Sequence, residues 1–183
     1  MYRLRGSLIR YKRFTLQGHE YDDNPRDIVD KTISYFASRS FFDSTNPEYW
    51  ILLQSQCSSG LHIPLFDFDD KVDVIARTKE ANLSGHVYST GHGYHFIVDG
   101  YMRLKDIEHR GTFMGVCPMF IELAMKNGYF GLRCGRKKDR EYDDIKYLYH
   151  TSGLEVPKNY WLVVHDALCT RMSWLYNCWE DSN

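Results

Sequence analysis

Short stretches of the chain alternate apolar and polar positions, whereas others repeat apolar positions with the period of a helix. Alternation indicates a strand because successive side chains point to opposite faces of a sheet. Apolar positions three and four apart, as at Val29, Ile33 and Phe36, indicate a helix. Strands are predicted at 49–56, 61–69, 85–90, 93–99, 129–134 and 160–166, and helical segments at 25–38, 70–82 and 104–126.

Turn and cap signals organise these elements into one fold. The third helical segment restarts at Pro118 and ends at Asn127-Gly128, where a glycine cap is expected. The strands 49–56 and 61–69 are separated by a short turn, which predicts a hairpin or adjacent strands. Hairpins mixed with helices predict an α+β fold with a mainly antiparallel sheet and flanking helices, not a doubly wound parallel one.

Chain length and net charge further limit the domain organisation and the classes of protein to which the chain could belong. The 183 residues suit a single domain over 1–183, with an N-terminal strand and helix subregion at 1–48 and a core at 49–183. A net charge of −1 argues against a protein that coats duplex nucleic acid. Basic residues are nevertheless concentrated in 1–13 and 133–140.

The number and spacing of the cysteines and the length of the apolar runs indicate the cellular compartment to expect. The five cysteines form no C-x-x-C pair, and we expect no secretory leader and free thiols in a reducing cytoplasm. A zinc site formed by Cys169, Cys178 and a histidine stays an alternative. No apolar run reaches the roughly 18 residues that a membrane helix needs, so no membrane partner is expected.

The segment 65–70, LFDFDD, carries the first candidate chemistry. On a strand, Asp67 and Asp69 share one face while Phe66 and Phe68 occupy the other. Two such carboxylates repel each other unless a cation lies between them, and their oxygens suit Mg²⁺ or Mn²⁺. The plainer interpretation is a strand that ends in a solvated acidic turn.

Two further segments contain residues suited to phosphate. In STGHGYHF, at 89–96, glycines allow a tight turn, and His95 then begins an apolar strand that would place its imidazole rigidly. The alternative there is a turn with a structural histidine. In LRCGRKK, at 132–138, Arg133 emerges from an apolar strand before a cationic run, which suits a triphosphate or a template backbone. The alternative there is a solvated charged loop.

In this order, the three segments resemble the motifs of the archaeo-eukaryotic primase superfamily, the primase-polymerases, over roughly 50–140. The resemblance implies a palm like the RNA-recognition-motif fold. It implies that Asp67 and Asp69 are catalytic metal ligands, and that the nucleotide is held by residues of the second and third motifs. Those nucleotide-binding residues are Ser89 (or Thr90), Gly91, His95, Arg133 and Lys137. Arg136 and Lys138 would contact the template.

A third catalytic and metal-binding acid is implied as well. Asp106 and Glu122 lie between the histidine motif and Arg133, where the family places this acid. Asp106 is of the usual residue type but follows a lysine. Glu122 has apolar neighbours within a predicted helix, and Asp166 ends a predicted strand after the basic segment. The order of preference is Asp106, Glu122, Asp166.

The resemblance predicts a metal-dependent nucleotidyltransferase that makes or extends short RNA or DNA primers on a single-stranded template during DNA replication. Its cofactor would be Mg²⁺ or Mn²⁺, its substrates nucleoside triphosphates, and its partners a helicase or other replication proteins on separate chains. The chain would be encoded by a cell, a virus or a plasmid.

Two alternatives come from other classes. The first is a catalytically inactive relative that binds nucleotide or nucleic acid as an adaptor in a replication or defence complex. The second is a nicking nuclease or replication initiator, with Tyr88, Tyr94 and Tyr101 as nucleophiles. The three-residue spacing of His92 and His95 argues against that second class.

Overall fold

A computed structural model describes residues 13–17, 50–57, 59–69, 72–134, 145–158, 162–163 and 165–170. The predicted helix at 25–38 and the cations Arg136, Lys137 and Lys138 lie outside this part of the chain. The strands are β1 (Arg13–Gln17), β2 (Trp50–Gln54), β3 (Leu65–Asp69), β4 (Gly85–Ser89), β5 (Gly93–Val98), β6 (Gly131–Arg133) and β7 (Lys146–His150). The helices are α1 (Val74–Glu80), α2 (Leu104–Met114) and α3 (Pro118–Asn127).

The strands form two sheets, and nearly all of the pairs are antiparallel. The larger sheet has the order β3-β5-β4-β7, and the smaller has the order β1-β2-β6. In the smaller sheet β1 runs parallel to β2, whereas β6 is antiparallel to it. The α+β class with mainly antiparallel sheets and flanking helices, expected from the sequence, is therefore confirmed.

The register of the larger sheet separates its two faces. Asp67, His95 and Tyr88 stand directly opposite one another on neighbouring strands, so they share a face, called here the Asp67 face. The next row, Phe66 and Phe96 with Val87, points to the other side, called here the Phe66 face. All three of these apolar residues are fully buried.

Helices α2 and α3 cover the Phe66 face. The ring of Phe66 lies against Gly111 of α2, where an added Cβ would be 3.1 Å from it, and Ile121 of α3 contacts the same glycine. Both helices end at a left-handed glycine, Gly115 and Gly128, which leaves them short and allows the chain to turn back. The cap at Gly128 and the break at Pro118 were both predicted, and both are confirmed.

One prediction about the fold holds only in part and another is wrong. The hairpin predicted from 49–56 and 61–69 is confined to the turn, where Gln56 bridges His62 and the amides of Ile63 and Cys57 donate to the carbonyls of Ser55 and Leu61. Beyond the turn, β2 pairs with β1 and β6 while β3 pairs with β5. The predicted strand 160–166 is helical at 162–163 and 165–170. The run of β-branched residues at Val163 and Val164 indicated a strand, but the buried positions Leu162, His165 and Cys169 follow a helical spacing.

Candidate functional site

The two aspartates of β3 lie on the Asp67 face, with a histidine directly across from one of them. Asp67 pairs with His95 on β5, and its Oδ1 lies 3.8 Å from the Nε2 of that imidazole. Asp69 is exposed at the end of β3, and the alternation of the strand turns it to the same side. The Asp67 side chain is 41% exposed, whereas that of His95 is 5% exposed. The predicted closeness of Asp67 and His95 is confirmed, and the strand position of Asp69 places it on the same face.

The turn between β4 and β5 brings the second motif to this place. Gly91 has a φ of 84°, in the left-handed region that glycine adopts without strain, and Ser89 Oγ accepts a hydrogen bond from its amide at 3.3 Å. Gly93 lies opposite Asp69, and a Cβ added there would be 2.1 Å from the Phe68 carbonyl oxygen. The two glycines therefore serve the turn and the close approach of β5 to β3.

Replacing Gly93 with alanine should destabilise the fold by about 3 kcal/mol, because the clash falls on the backbone of a paired strand that cannot move alone. Urea unfolding measures this difference. The control is Gly60→Ala, where φ is 81° and nothing lies within 4 Å of an added Cβ. Only the strain of a left-handed alanine arises there, which costs about 1 kcal/mol. Equal losses in the two variants would contradict the proposed clash.

The side chain of Ser89 does not lie on the Asp67 face, where the predicted contact with a nucleotide would require it. It pairs with Tyr94, one position away from the row of Asp67 and His95, so the pleat directs its side chain to the Phe66 face. Its hydroxyl instead caps the turn at Gly91. Thr90, the alternative small residue, directly follows the strand and is buried.

The preferred third acid, Asp106, is not brought to the aspartate pair. It lies exposed in the first turn of α2, the helix that packs against the Phe66 face through Gly111. Glu122 is exposed on α3, which lies in the same helical layer. Both acids therefore belong to the side of the sheet opposite Asp67. The ranking that placed Asp106 first is wrong because chain position carries no information about which face a helix covers.

Asp166, the candidate ranked last, lies on the Asp67 face. It accepts a hydrogen bond of 2.7 Å from the hydroxyl of Tyr88, the residue opposite His95 on β4. Lys158 donates to its other oxygen, and His165 Nδ1 lies 3.1 Å from Oδ1. Burial alone would raise the pKa of Asp166, but hydrogen bonds from His165, Lys158 and Tyr88 outweigh burial and hold the pKa below its usual range.

The contacts of Tyr88 also bear on the alternative that the protein is a nicking nuclease with a tyrosine nucleophile. Tyr88 is 2% exposed, and burial followed by the Asp166 carboxylate raises its pKa far above that of a free tyrosine. A phenol that is buried and hard to ionise is a poor nucleophile. Tyr94 is half-buried and Tyr101 is exposed, and His92 lies at the exposed tip of the turn while His95 is buried in the strand. These placements do not favour a nuclease that uses Tyr88.

Of the cationic motif, the structure describes only its first part. Arg133 ends β6 and is half-buried, opposite Leu52 of β2. Strand β6 belongs to the smaller sheet and comes close to β3, the strand of the two aspartates, without pairing with it. Lys137, Arg136 and Lys138 follow it outside the described residues, so their predicted contacts with nucleotide and template stay predictions.

Sequence reasoning missed one of two groups of potential metal ligands and named only part of the other. The zinc alternative had Cys169 and an unspecified histidine together with Cys178, which lies outside the described residues. His86, Asp99 and His150 meet at one end of the larger sheet, and Cys134, His165 and Cys169 meet beside the helical segment at 165–170. In each group the ligand atoms all lie within 4.8 Å of one another. The spacing of His165 and Cys169, one helical turn apart, was the one local signal, and it was hidden by the strand prediction.

The chain was compared with family models, with curated proteins and with solved structures. None of the three comparisons found a match. Function therefore has to be argued from the site itself. Within the described part of the chain, no helix is both long and apolar enough to cross a membrane.

Proposed function

We propose that this protein is a metal-dependent nucleotidyltransferase of the primase-polymerase type. The single observation that carries the proposal is the pair of carboxylates Asp67 and Asp69 on one face of β3, with His95 directly across on β5. Acidic and imidazole groups in one row of a rigid sheet can hold a cation and a phosphate side by side. The apolar Phe66 face anchors this row from behind.

The donor set suits the implied metal. Asp67 and Asp69 offer hard oxygen ligands at positions i and i+2 of one strand, and both reach solvent, so substrate phosphates could complete the coordination of Mg²⁺ or Mn²⁺. When bound, such an ion would neutralise charge on the attacked phosphate and polarise the attacking hydroxyl. The two aspartates would hold the ion at the mouth of the turn at 90–92.

His95 would orient the triphosphate. Its ring is almost fully buried on β5, so its direction is fixed, and its Nε2 faces the side of Asp67. An imidazole N–H there can donate a hydrogen bond to a phosphate oxygen that is also near the aspartates. Arg133, on the neighbouring β6, would add a planar cation for the remaining phosphate oxygens.

The order of strands supports a palm like the RNA-recognition-motif fold. Along the chain the elements run β3, α1, β4, β5, α2 with α3, and β6, which is a β-α-β-β-α-β order. In the larger sheet β3 is followed by β5 and β4, with α2 and α3 on one face, while β6 belongs to the smaller sheet and comes close to β3 without pairing with it. In the proposed enzyme the solvent-exposed carboxylates of the Asp67 face would carry the chemistry. A single-stranded template, and a helicase or other replication proteins on separate chains, would be the partners.

One observation favours a second function, a catalytically inactive adaptor. Asp106 and Glu122 lie in the helical layer, and Asp166 is held by Tyr88, Lys158 and His165. If no acid joins Asp67 and Asp69, the pocket would bind a nucleotide with its metal and not extend a primer.

An incorporation assay on the full chain separates the two functions. Labelled nucleoside triphosphates are offered on a primed and an unprimed single-stranded template, with Mn²⁺ or Mg²⁺, while calorimetry measures nucleotide binding in the same buffers. Metal-dependent extension is expected. Binding without extension would establish the adaptor in place of the enzyme. Neither binding nor extension with either metal would refute both.

A further inference from the structure

A second, chemically different metal site is formed by Cys134, His165 and Cys169. We propose that these three side chains bind a structural Zn²⁺ ion, independently of the nucleotide chemistry proposed above. All three are buried, and their ligand atoms lie within 4.8 Å of one another. The Sγ of Cys169 is 3.6 Å from the Nε2 of His165. Ionisable side chains buried this deeply pair with one another or coordinate a metal.

The local structure explains why these residues converge. His165 and Cys169 are one helical turn apart in the segment 165–170, so their side chains project from the same side. Leu162 and Leu168, which are also buried, hold the segment against the rest of the molecule. Cys134 directly follows β6 and is fully buried, so a paired strand fixes the position of its sulfur. The site would join two elements that are distant in sequence.

The histidine is oriented as a metal ligand should be. Its Nδ1 lies 3.1 Å from Asp166 Oδ1, while its other nitrogen, Nε2, faces Cys169. Histidines that bind zinc usually hydrogen-bond a carboxylate through the nitrogen that does not bind the metal, which fixes the ring and makes it a better ligand. Asp166 is itself held by Tyr88 and Lys158. Asp166 is therefore a positioning residue in this proposal.

The donor atoms select the metal. Two sulfurs and one imidazole nitrogen are three of the four ligands that zinc takes in a tetrahedron, and they do not suit Mg²⁺ or Ca²⁺. Coordination would release the two thiol protons to solvent, with no change of oxidation state. Because the ligands come from β6 and from the segment 165–170, the ion would pin that segment over the Asp67 face. It would also fix the chain at the residue after Arg133.

The group formed by His86, Asp99 and His150 is the weaker candidate. Its Asp99 carboxylate already accepts a 2.8 Å hydrogen bond from His150 Nε2, and that carboxylate is 41% exposed. His86 beside it is buried, with its pKa lowered mainly by burial, and its Nε2 lies 3.6 Å from Asp99 Oδ1; among the described residues neither ring nitrogen of His86 has a hydrogen-bond partner. A substitution in this group, at His86, therefore serves as a control for the zinc measurements described next.

Metal analysis of the purified full chain tests the zinc site. Elemental analysis by inductively coupled plasma mass spectrometry should find about one zinc per chain. A strong chelator should remove this zinc and lower the melting temperature of the protein. Cobalt substituted for zinc should show the thiolate-to-metal absorption that only sulfur ligands produce. Cys134→Ser and Cys169→Ser should each lose the zinc and the absorption. The matched control is Cys57→Ser, which removes another buried thiol, and His86→Ala tests the other group; both should keep the zinc.

A further variant tests the positioning role and avoids loss of a ligand. Asp166→Asn should weaken zinc affinity by about 10- to 100-fold, measured by competition with a chelator, while the cobalt spectrum keeps its sulfur band. The proposal is overturned if the chain holds no zinc even after refolding with it, or if Cys134 and Cys169 are found as a disulfide. Zinc lost from the His86 variant and kept by the cysteine variants would also overturn it.

Discussion

Replacing Asp67 with asparagine is expected to lower the rate of nucleotide incorporation by about two to three orders of magnitude while the melting temperature barely changes. The asparagine has the same shape but lacks the negative charge that would hold the metal. Losing several kcal/mol of charge stabilisation corresponds to a rate loss of that size. Since the Asp67 side chain is 41% exposed, the neutral amide stays solvated and folding should tolerate it.

The matched controls for this prediction carry the same substitution elsewhere. Asp69→Asn should reduce incorporation as strongly, because both aspartates point to the Asp67 face. Asp106→Asn should change the rate by less than about threefold, because Asp106 lies on α2 over the opposite face. The measurement is the initial rate of primer extension at saturating nucleotide. A severe loss of the extension rate in the Asp106 variant, with normal rates in the Asp67 and Asp69 variants, would contradict the assignment of the site.

The second large effect concerns folding. Phe66→Ala should destabilise the protein by about 4 kcal/mol, a large part of the total stability of an ordinary domain. Phe66 is fully buried, with Phe68 and Phe96 at ring-centroid distances of 6.5 and 6.1 Å and with Gly111 of α2 against its edge. The alanine would leave a cavity that neither the sheet nor the helix can close.

Urea unfolding of the wild type and two variants measures that effect. Phe113→Ala removes a ring of the same size from the exposed side of α2, where the side chain is 61% exposed, and should cost less than about 0.5 kcal/mol. Phe66→Leu, which keeps much of the volume, should fall between the two. Similar losses for Phe66→Ala and Phe113→Ala would show that the Phe66 face is not the main core.

Local patterns predicted the parts of the fold that local chemistry decides. The alternation in 65–69 placed Asp67 and Asp69 on one side and the phenylalanines on the other, and the register confirms it. Glycine and proline signals placed the turn before β5 and the ends of α2 and α3 within a few residues. Each of these features depends on neighbours in sequence, so a single chain contains enough information to predict it.

Features decided by packing between distant segments were not predictable. Asp106 was preferred for its place in the chain, but the face that α2 covers is decided by how Gly111 fits against Phe66. The strand predicted at 160–166 reflects the β propensity of Val163 and Val164, which burial of the helical positions overrides. The group around His86 draws on residues far apart in sequence, and in the group around Cys134 a local spacing links only His165 and Cys169.

The strict alternation of β3 has a consequence for how this chain can vary. Point changes in β3 act separately: those at Phe66 or Phe68 alter the core, and those at Asp67 or Asp69 alter the charge offered on the other side. Inserting or deleting a single residue within the strand would exchange the two sets, burying carboxylates among the helices and presenting aromatic rings to solvent. Divergent copies of this gene should therefore accumulate substitutions here far more readily than gains or losses of length.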